Sequence, residues 1–284
     1  MDAHPDTLAG RSTSAPHVVL GGGIALQLLP RAPYSARDPA HAPSIGVALE
    51  RQTGVHSIGS DRREAFDRWP GTLAVTPAGV DVFSESADGG EYLVLRLMGM
   101  DLNALPGGAF AQTRVCVAGA REAFALARAV RRLLVAPLGD DASLADLAWR
   151  LVWRTLASTS GQTAYAGRDR RRYGPVLDCI ADQFGQPLVV EELAAITGQT
   201  TLSFLRGFTA AIGMTPHAYL TEHRLQAARS LLAGSRLSLA DIALACGFSH
   251  QSHFGAAFKR AFALTPAHYR RLHRGPSGAA CQRA

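Results

Sequence analysis

Two related segments near the carboxyl end decide the fold. Residues 189–219 read VVEELAAITGQTTLSFLRGFTAAIGMTPHAY, and residues 238–269 read SLADIALACGFSHQSHFGAAFKRAFALTPAHY. Aligned on their shared residues, the two copies are offset by 49 positions up to the glycine of each copy and by 50 positions after it. In each copy an Ala-x-x-x-Gly pattern ends one short helix before a second helix begins. The repeat therefore predicts two helix-turn-helix motifs in one all-α domain.

The second copy shows why these residues form two crossing helices. Ser238 and Asp241 have the spacing of a capping box, in which the serine hydroxyl accepts from a backbone amide and the carboxylate reaches back. Gly247 can adopt the left-handed conformation that turns the chain. Ser249 is expected to cap the next helix, which two phenylalanines four residues apart hold against the core. The other faces of that helix remain available for a ligand.

Positive charge is concentrated in the part of the chain that holds the repeat. Residues 168–274 carry 13 Lys and Arg against 7 Asp and Glu, whereas residues 1–167 carry 15 against 16. Such an excess suits DNA, because cations that neutralise phosphates release counterions and provide affinity for any sequence. The alternative is a basic face that is only solvated.

The amino-terminal half follows a different pattern. From about Val18 to Val117, short apolar runs alternate with turn residues, which predicts an antiparallel sheet closed into a small barrel or roll. Helical periodicity follows over 120–134 and 143–157, and these helices either cover the barrel or pair with a second copy. The predicted ranges are a disordered N-terminus over 1–16, a barrel domain over 17–158, a linker over 159–173, an all-α domain over 174–274 and a disordered tail over 275–284.

Metal, nucleotide and membrane sites are not indicated. The four cysteines form no Cys-x-x-Cys pair, and His250 and His253 have no cysteine or carboxylate at ligand spacing. The run Gly21-Gly-Gly has Leu26 where a dinucleotide fingerprint needs its third glycine, so a bend between strands is predicted. No apolar run approaches the ~18 residues of a membrane span. We expect a cytoplasmic protein without metal, cofactor or catalytic residues.

The repeat resembles the DNA-binding domain of the AraC/XylS family of bacterial transcription regulators. The resemblance extends over residues 176–271 and includes the helix between the copies. The residues that carry it are Asp241-Ile-Ala, Gly247-Phe-Ser, Gln251-Ser-His-Phe, Phe258-Lys-Arg, Thr265-Pro-x-x-Tyr-Arg, Gly213-Met-Thr-Pro and Arg224-Leu-Gln-Ala-Ala-Arg.

The resemblance implies that the second helix of each motif enters the major groove of double-stranded DNA. The side chains expected to read bases are Leu202, Leu205, Arg206, Gln251, Ser252 and His253. Those expected to contact phosphates, which position the protein without specifying sequence, are Thr200, Arg224, Ser249, Lys259 and Arg260. Arg206 is expected to contribute most to readout, because a guanidinium group can pair with both O6 and N7 of guanine.

Four residues depart from the family pattern. Thr209 replaces a frequent lysine. Ala256 stands where many relatives have a second base-reading arginine, and Val189 replaces the usual N-cap hydroxyl. Gly207 lies inside a predicted helix, at a cost of about 1 kcal/mol relative to alanine. Either the two motifs share the readout differently, with Gln251 and His253 contributing more, or the affinity for a single site is modest. The second copy is expected to be the better built of the two.

The amino-terminal half resembles the cupin-like sensory domain of the same family. Gly71-x5-Pro77-x-Gly79 fits the second half of a cupin motif, but Val82 stands where a metal-binding histidine is expected. The resemblance thus implies an α+β multidomain protein that regulates transcription in response to a small organic effector. It further implies activation through RNA polymerase and a homodimer. The alternatives are a cupin-type enzyme with an appended DNA-binding domain and a structural DNA-binding protein without an effector.

Overall fold

A computed structural model describes most of the chain and divides it into two compact units, Met1–Ala166 and Gly167–Ala284. The described residues are 17–102, 114–117, 120–135, 140–159 and 172–273. The predicted termini over 1–16 and 275–284, and most of the predicted linker, lie outside them. Tyr173, which the prediction places at the end of the linker, is buried.

The first unit is rich in antiparallel strands, as its alternating apolar runs and turns predict. The strands are β1 His17–Leu20, β2 Ile24–Leu29, β3 Tyr34–Asp38, β4 Ser44–Ala48, β5 Gln52–Ile58, β6 Glu64–Arg68, β7 Leu73–Thr76, β8 Val82–Ser86, β9 Tyr92–Leu97 and β10 Val115–Val117. One sheet has six strands in the order β1-β2-β9-β4-β7-β10, and the other has four in the order β3-β8-β5-β6.

The prediction of a closed barrel is wrong. Every strand pairing among the described residues lies within one of the two sheets, so no ladder of hydrogen bonds joins them into a ring. Alternating apolar runs identify strands, but closure depends on the register between strands that are far apart in sequence. The two sheets instead line a common cavity.

Two helices follow the strands, α1 Arg121–Val135 and α2 Asp141–Thr159, close to the predicted ranges. A buried ion pair ties α1 to the sheets, because Arg131 Nη1 donates to Glu91 Oε2 at 3.0 Å and each side chain is 1% exposed. The backbone N–H of Glu91 in turn donates to Glu50 Oε2 at 2.8 Å. These contacts favour a covering role for α1, while pairing with a second copy stays a prediction.

The second unit is helical, as predicted. Its helices are α3 Gly174–Gln183, α4 Val190–Ile196, α5 Thr201–Ile212, α6 Pro216–Gly234, α7 Leu239–Ala245, α8 Gln251–Phe262 and α9 Pro266–His273. Helices α4 and α5 correspond to the first repeated motif, α7 and α8 to the second, and α6 connects them. Aromatic rings fill the core, and the centroids of Phe258 and Phe262 lie 4.7 Å apart.

The turns and caps of the two motifs test the local predictions. Ser238 and Asp241 form the predicted capping box, since Ser238 Oγ accepts from the Asp241 N–H at 3.1 Å and Asp241 Oδ2 accepts from the Ser238 N–H at 3.3 Å. Gly247 has the expected positive φ of 76°. The assignment of Ser249 as a cap is wrong, because α8 begins at Gln251 and His250 occupies the N-cap position without a side-chain hydrogen bond.

Membrane-crossing and metal-binding features are both absent from the described part of the chain. None of its helices has the combined length and hydropathy that a bilayer requires. No three or more His, Cys, Asp or Glu side chains are grouped there so as to hold a metal ion.

Candidate nucleic-acid interface

Helix α5 turns one face to the core and the opposite face to solvent. Its buried residues are Phe204, Phe208 and Ile212. Arg206 is exposed and Leu202 is 59% exposed, whereas Leu205 is half-buried at the edge of the exposed face. Of the three side chains predicted to read bases on this helix, Leu202 and Arg206 are therefore fully accessible and Leu205 is partly so.

Ser203, in the first turn of α5, is a candidate DNA contact that was not predicted from the sequence. Its backbone N–H donates to the hydroxyl of the N-cap residue Thr200 at 3.4 Å. The Ser203 side chain is exposed, and it lies three residues before Arg206, hence on the same side of the helix. That spacing could have identified Ser203 as a polar neighbour of Arg206.

Helix α8 repeats this arrangement 50 residues later. Its buried residues are Phe254, Ala257, Phe258 and Phe262. Its exposed residues include the predicted base-reading and phosphate-contacting side chains, namely Gln251, Ser252, His253, Lys259 and Arg260. The His253 ring packs edge-on against Phe248, with ring centroids 5.8 Å apart and planes at 87°, which restricts the orientation of the imidazole. Ser249 is exposed ahead of the helix.

The exposed faces of α5 and α8 are positively charged. Neither helix contains an aspartate or a glutamate, and their cations are Arg206, Lys259 and Arg260. Within the described residues these three side chains have no hydrogen bond or ion pair, so their charges are available to a polyanion. Both faces can therefore attract phosphates while presenting polar and apolar side chains to base edges.

Arg224, by contrast, is used inside the domain. Its Nε donates to the carbonyl oxygen of Phe184 at 2.7 Å and its Nη2 to that of Gln186 at 2.9 Å. A Cβ on Gly247 would lie 2.9 Å from the guanidinium carbon, so this arginine fills the space below the turn of the second motif. Burial lowers the pKa of Arg224. Arg224 thus links the end of α3 to the second motif. Its contact with a DNA phosphate stays a prediction, and a phosphate would have to compete with the two carbonyl oxygens for the guanidinium group.

A second arginine of α6 also has a structural role that the sequence analysis missed. The guanidinium carbon of Arg229 lies 4.9 Å from the ring centroid of Phe262 and 5.6 Å from that of Tyr269. Its Nε donates to the Tyr269 hydroxyl at 3.3 Å. Arg229 therefore packs α8 and α9 against α6. No local pattern marks this role, because both aromatic partners lie more than 30 residues away in the sequence.

Comparison with known proteins identifies the repeated region. Residues 193–272, from α4 to α9, match a family model described as a helix-turn-helix domain. The transcriptional regulator MtrA of Neisseria gonorrhoeae is 30% identical over 105 residues, covering 37% of this chain and 35% of MtrA. The transcriptional activator RhaS of Klebsiella pneumoniae is 37% identical over 95 residues, covering 34% of each chain.

A solved structure of an AraC-type transcriptional regulator from Chromobacterium violaceum is 29% identical, with a TM-score of 0.36, and the match covers 38% of this chain and 96% of that one. This chain spans about a third of the length of the curated relatives named above. The carboxyl-terminal unit contains a helix-turn-helix domain. That domain is of the AraC type, which confirms the resemblance seen in its sequence.

Proposed function

We propose that this chain is a transcriptional regulator that binds double-stranded DNA through α5 and α8. The observation that carries the proposal is the pair of acid-free exposed faces on the two corresponding helices of an AraC-type domain. Each helix enters a major-groove segment, and the two segments lie about one turn, or roughly 34 Å, apart. The matching domains of MtrA and RhaS belong to proteins named as a regulator and an activator.

Side chains divide between reading bases and holding the backbone. Base contacts come from Leu202, Leu205 and Arg206 on α5 and from Gln251, Ser252 and His253 on α8. Phosphate contacts come from Thr200, Ser249, Lys259 and Arg260. The two motifs share the readout unequally, because the position of Arg206 is occupied by Ala256 in the second copy.

The amino-terminal unit supplies the regulatory part of this proposal. It binds a small organic effector in the cavity between its sheets, and α1 and α2 take part in a homodimer. The protein acts in the cytoplasm and activates transcription through contact with RNA polymerase. The cavity, which has charged and apolar walls, is the structural feature that supports the effector.

The proposal is tested by enriching genomic DNA fragments with the purified full chain and sequencing them. The wild-type chain is expected to enrich one recurring sequence. Arg206→Ala should relax the preference at one or two base pairs, because a bidentate arginine contributes ~1–3 kcal/mol of discrimination.

Arg236→Ala is the matched control, since Arg236 is exposed in the loop between α6 and α7. It should leave the enriched sequence unchanged. Unaltered selectivity in Arg206→Ala would remove that residue from the readout. Failure of the wild-type chain to enrich any sequence would reject the regulator.

A further inference from the structure

A cavity of about 80 Å3 lies between the two sheets of the amino-terminal unit. Leu29, Val82 and Val94 form an apolar part of its wall. Three arginines, Arg68, Arg96 and Arg114, line the same cavity. Asp38 also lines the cavity, so its wall combines apolar side chains with three arginines and one carboxylate, a net excess of positive charge. Such a space has the character of a binding site for a small amphipathic molecule.

Among the described residues, a carboxylate neutralises only one of these three arginines, Arg96. Arg96 Nη1 lies 2.9 Å from Asp38 Oδ2. Arg68 is 7% exposed, and its Nη2 lies 3.1 Å from the Nδ1 atom of the neighbouring His56. Arg114 donates from Nη2 to the Tyr92 hydroxyl at 3.3 Å, while its Nε is buried and has no hydrogen-bond partner in the described residues.

The charges of Arg68 and Arg114 are not balanced within the described residues. No ion pair with a carboxylate involves either side chain there, and the adjoining segment 103–113 contains no Asp or Glu. His56 carries no negative charge that could balance them, and burial and then Arg68 lower its pKa, which disfavours its cationic form. Burial, followed by repulsion from Arg114, lowers the pKa of Arg68. Arginine nevertheless keeps its proton in proteins, and an unpaired charge is costly to bury.

We propose that this cavity binds a small organic carboxylate, with its charged end on Arg68 and Arg114 and its apolar body against Leu29, Val82 and Val94. A carboxylate fits because guanidinium groups bind planar oxyanions through two parallel hydrogen bonds. This assignment rests on the proposed regulator function and names the chemical class of its effector.

Tyr92 and Gly46 help to shape the charged end of the cavity. The Tyr92 hydroxyl accepts from Arg114, and it lies so close to Gly46 that a Cβ there would collide with the ring. The absence of a side chain at Gly46 therefore lets the phenol lie across β4 and orient Arg114.

The test compares anions with neutral molecules of the same shape. Binding of sodium benzoate and sodium butyrate to the full chain is measured by calorimetry and by ligand-observed NMR, beside benzamide and butyramide. At least one carboxylate is expected to bind about tenfold or more tightly than its amide, a difference of about 1.4 kcal/mol. Equal binding within both pairs, or no binding of either carboxylate, would overturn the proposal. Displacement of the carboxylates by inorganic phosphate at equal concentration would contradict it as well.

Variants locate the site. Arg114→Met and Arg68→Met should abolish the preference for the carboxylate, whereas Arg62→Met, which removes an arginine side chain that is 83% exposed, should retain it. Asp38→Asn provides a test in which carboxylate binding is expected to become tighter and not weaker. Asparagine can still accept from the Ala40 N–H, as Asp38 Oδ1 does at 3.0 Å, but it leaves the charge of Arg96 unbalanced.

Asp38→Asn should therefore bind the carboxylate about tenfold more tightly. Unchanged or weaker binding would contradict the assignment even if Arg68→Met failed to fold. None of these measurements uses DNA. If the chain binds carboxylates but enriches no DNA sequence, the carboxylate site stands and the proposed regulator function is rejected. If it enriches a DNA sequence but binds no carboxylate, only the carboxylate site is rejected.

Discussion

Two glycines lie inside the candidate DNA-contacting helices, Gly207 in α5 and Gly255 in α8. From helix propensity alone, each costs about 1 kcal/mol relative to alanine. A Cβ on Gly255 would meet nothing within 4 Å, whereas a Cβ on Gly207 would collide with the hydroxyl oxygen of Tyr173. Tyr173 is 3% exposed and donates to Gln199 Oε1 at 3.2 Å, so its ring has little room to move. The two glycines therefore have opposite energetic roles.

Gly255→Ala is expected to raise the free energy of unfolding by about 1 kcal/mol. Gly207→Ala is expected to lower it, because the added Cβ would overpack against the buried side chain of Tyr173, and overpacking costs about 1–3 kcal/mol. Adding Tyr173→Phe to Gly207→Ala should recover part of that loss by removing the oxygen atom in the way. Urea unfolding of the full chain, followed by far-ultraviolet circular dichroism, measures all three. A gain in stability from both alanines would show that Tyr173 does not constrain Gly207.

At the scale of the elements, α1 depends on the buried pair of Arg131 and Glu91. Arg131→Met is expected to lower the free energy of unfolding by about 3–5 kcal/mol, because it leaves the carboxylate of Glu91 buried without this partner. Adding Glu91→Gln should restore part of the loss. Tryptophan fluorescence is a selective probe, since Trp69, Trp149 and Trp153 all belong to the amino-terminal unit.

Arg132→Met is the matched control for that experiment, because Arg132 is the next residue of α1 and is exposed. Its effect should stay within about 0.5 kcal/mol. Similar losses in Arg131→Met and Arg132→Met would contradict a specific role for the buried pair. The decrease in the free energy of unfolding would then result from removing any arginine from α1.

Several features whose determinants are close in sequence were predictable, although the cap assigned to Ser249 was wrong. The capping box of Ser238 and the turn at Gly247 involve residues within a few positions of one another, so spacing alone identified them. The contacts of Arg131 and Arg224 join residues 40 positions apart, and no local spacing encodes them. The same limit explains the incorrect closed barrel. The burial of Arg68 could have been predicted from the sequence, because alternation along β6 places this residue on the same buried face as Phe66.

At the scale of the whole molecule, charge is divided between the two parts of the chain. Residues 168–274 hold an excess of 13 basic over 7 acidic side chains, while residues 1–167 are nearly balanced. In the carboxyl-terminal unit, Lys259 and Arg260 lie exposed in the last turn of α8. Affinity for DNA of any sequence is therefore expected to arise mainly in that unit, while sequence preference arises from a few side chains such as Arg206.

This division predicts two distinct mutational signatures in the full chain. Lys259→Gln and Arg260→Gln should each reduce the slope of log affinity against log salt concentration by ~0.9, the contribution of one phosphate contact, and leave the preferred sequence unchanged. Arg206→Ala should instead alter the sequence preference. Equilibrium titrations at several salt concentrations measure the slope, with Arg132→Gln as the control that changes neither quantity. An affinity independent of salt would contradict phosphate contact, because released counterions would then contribute nothing to binding. A salt slope that neither glutamine variant alters would contradict phosphate contact by these two side chains of α8.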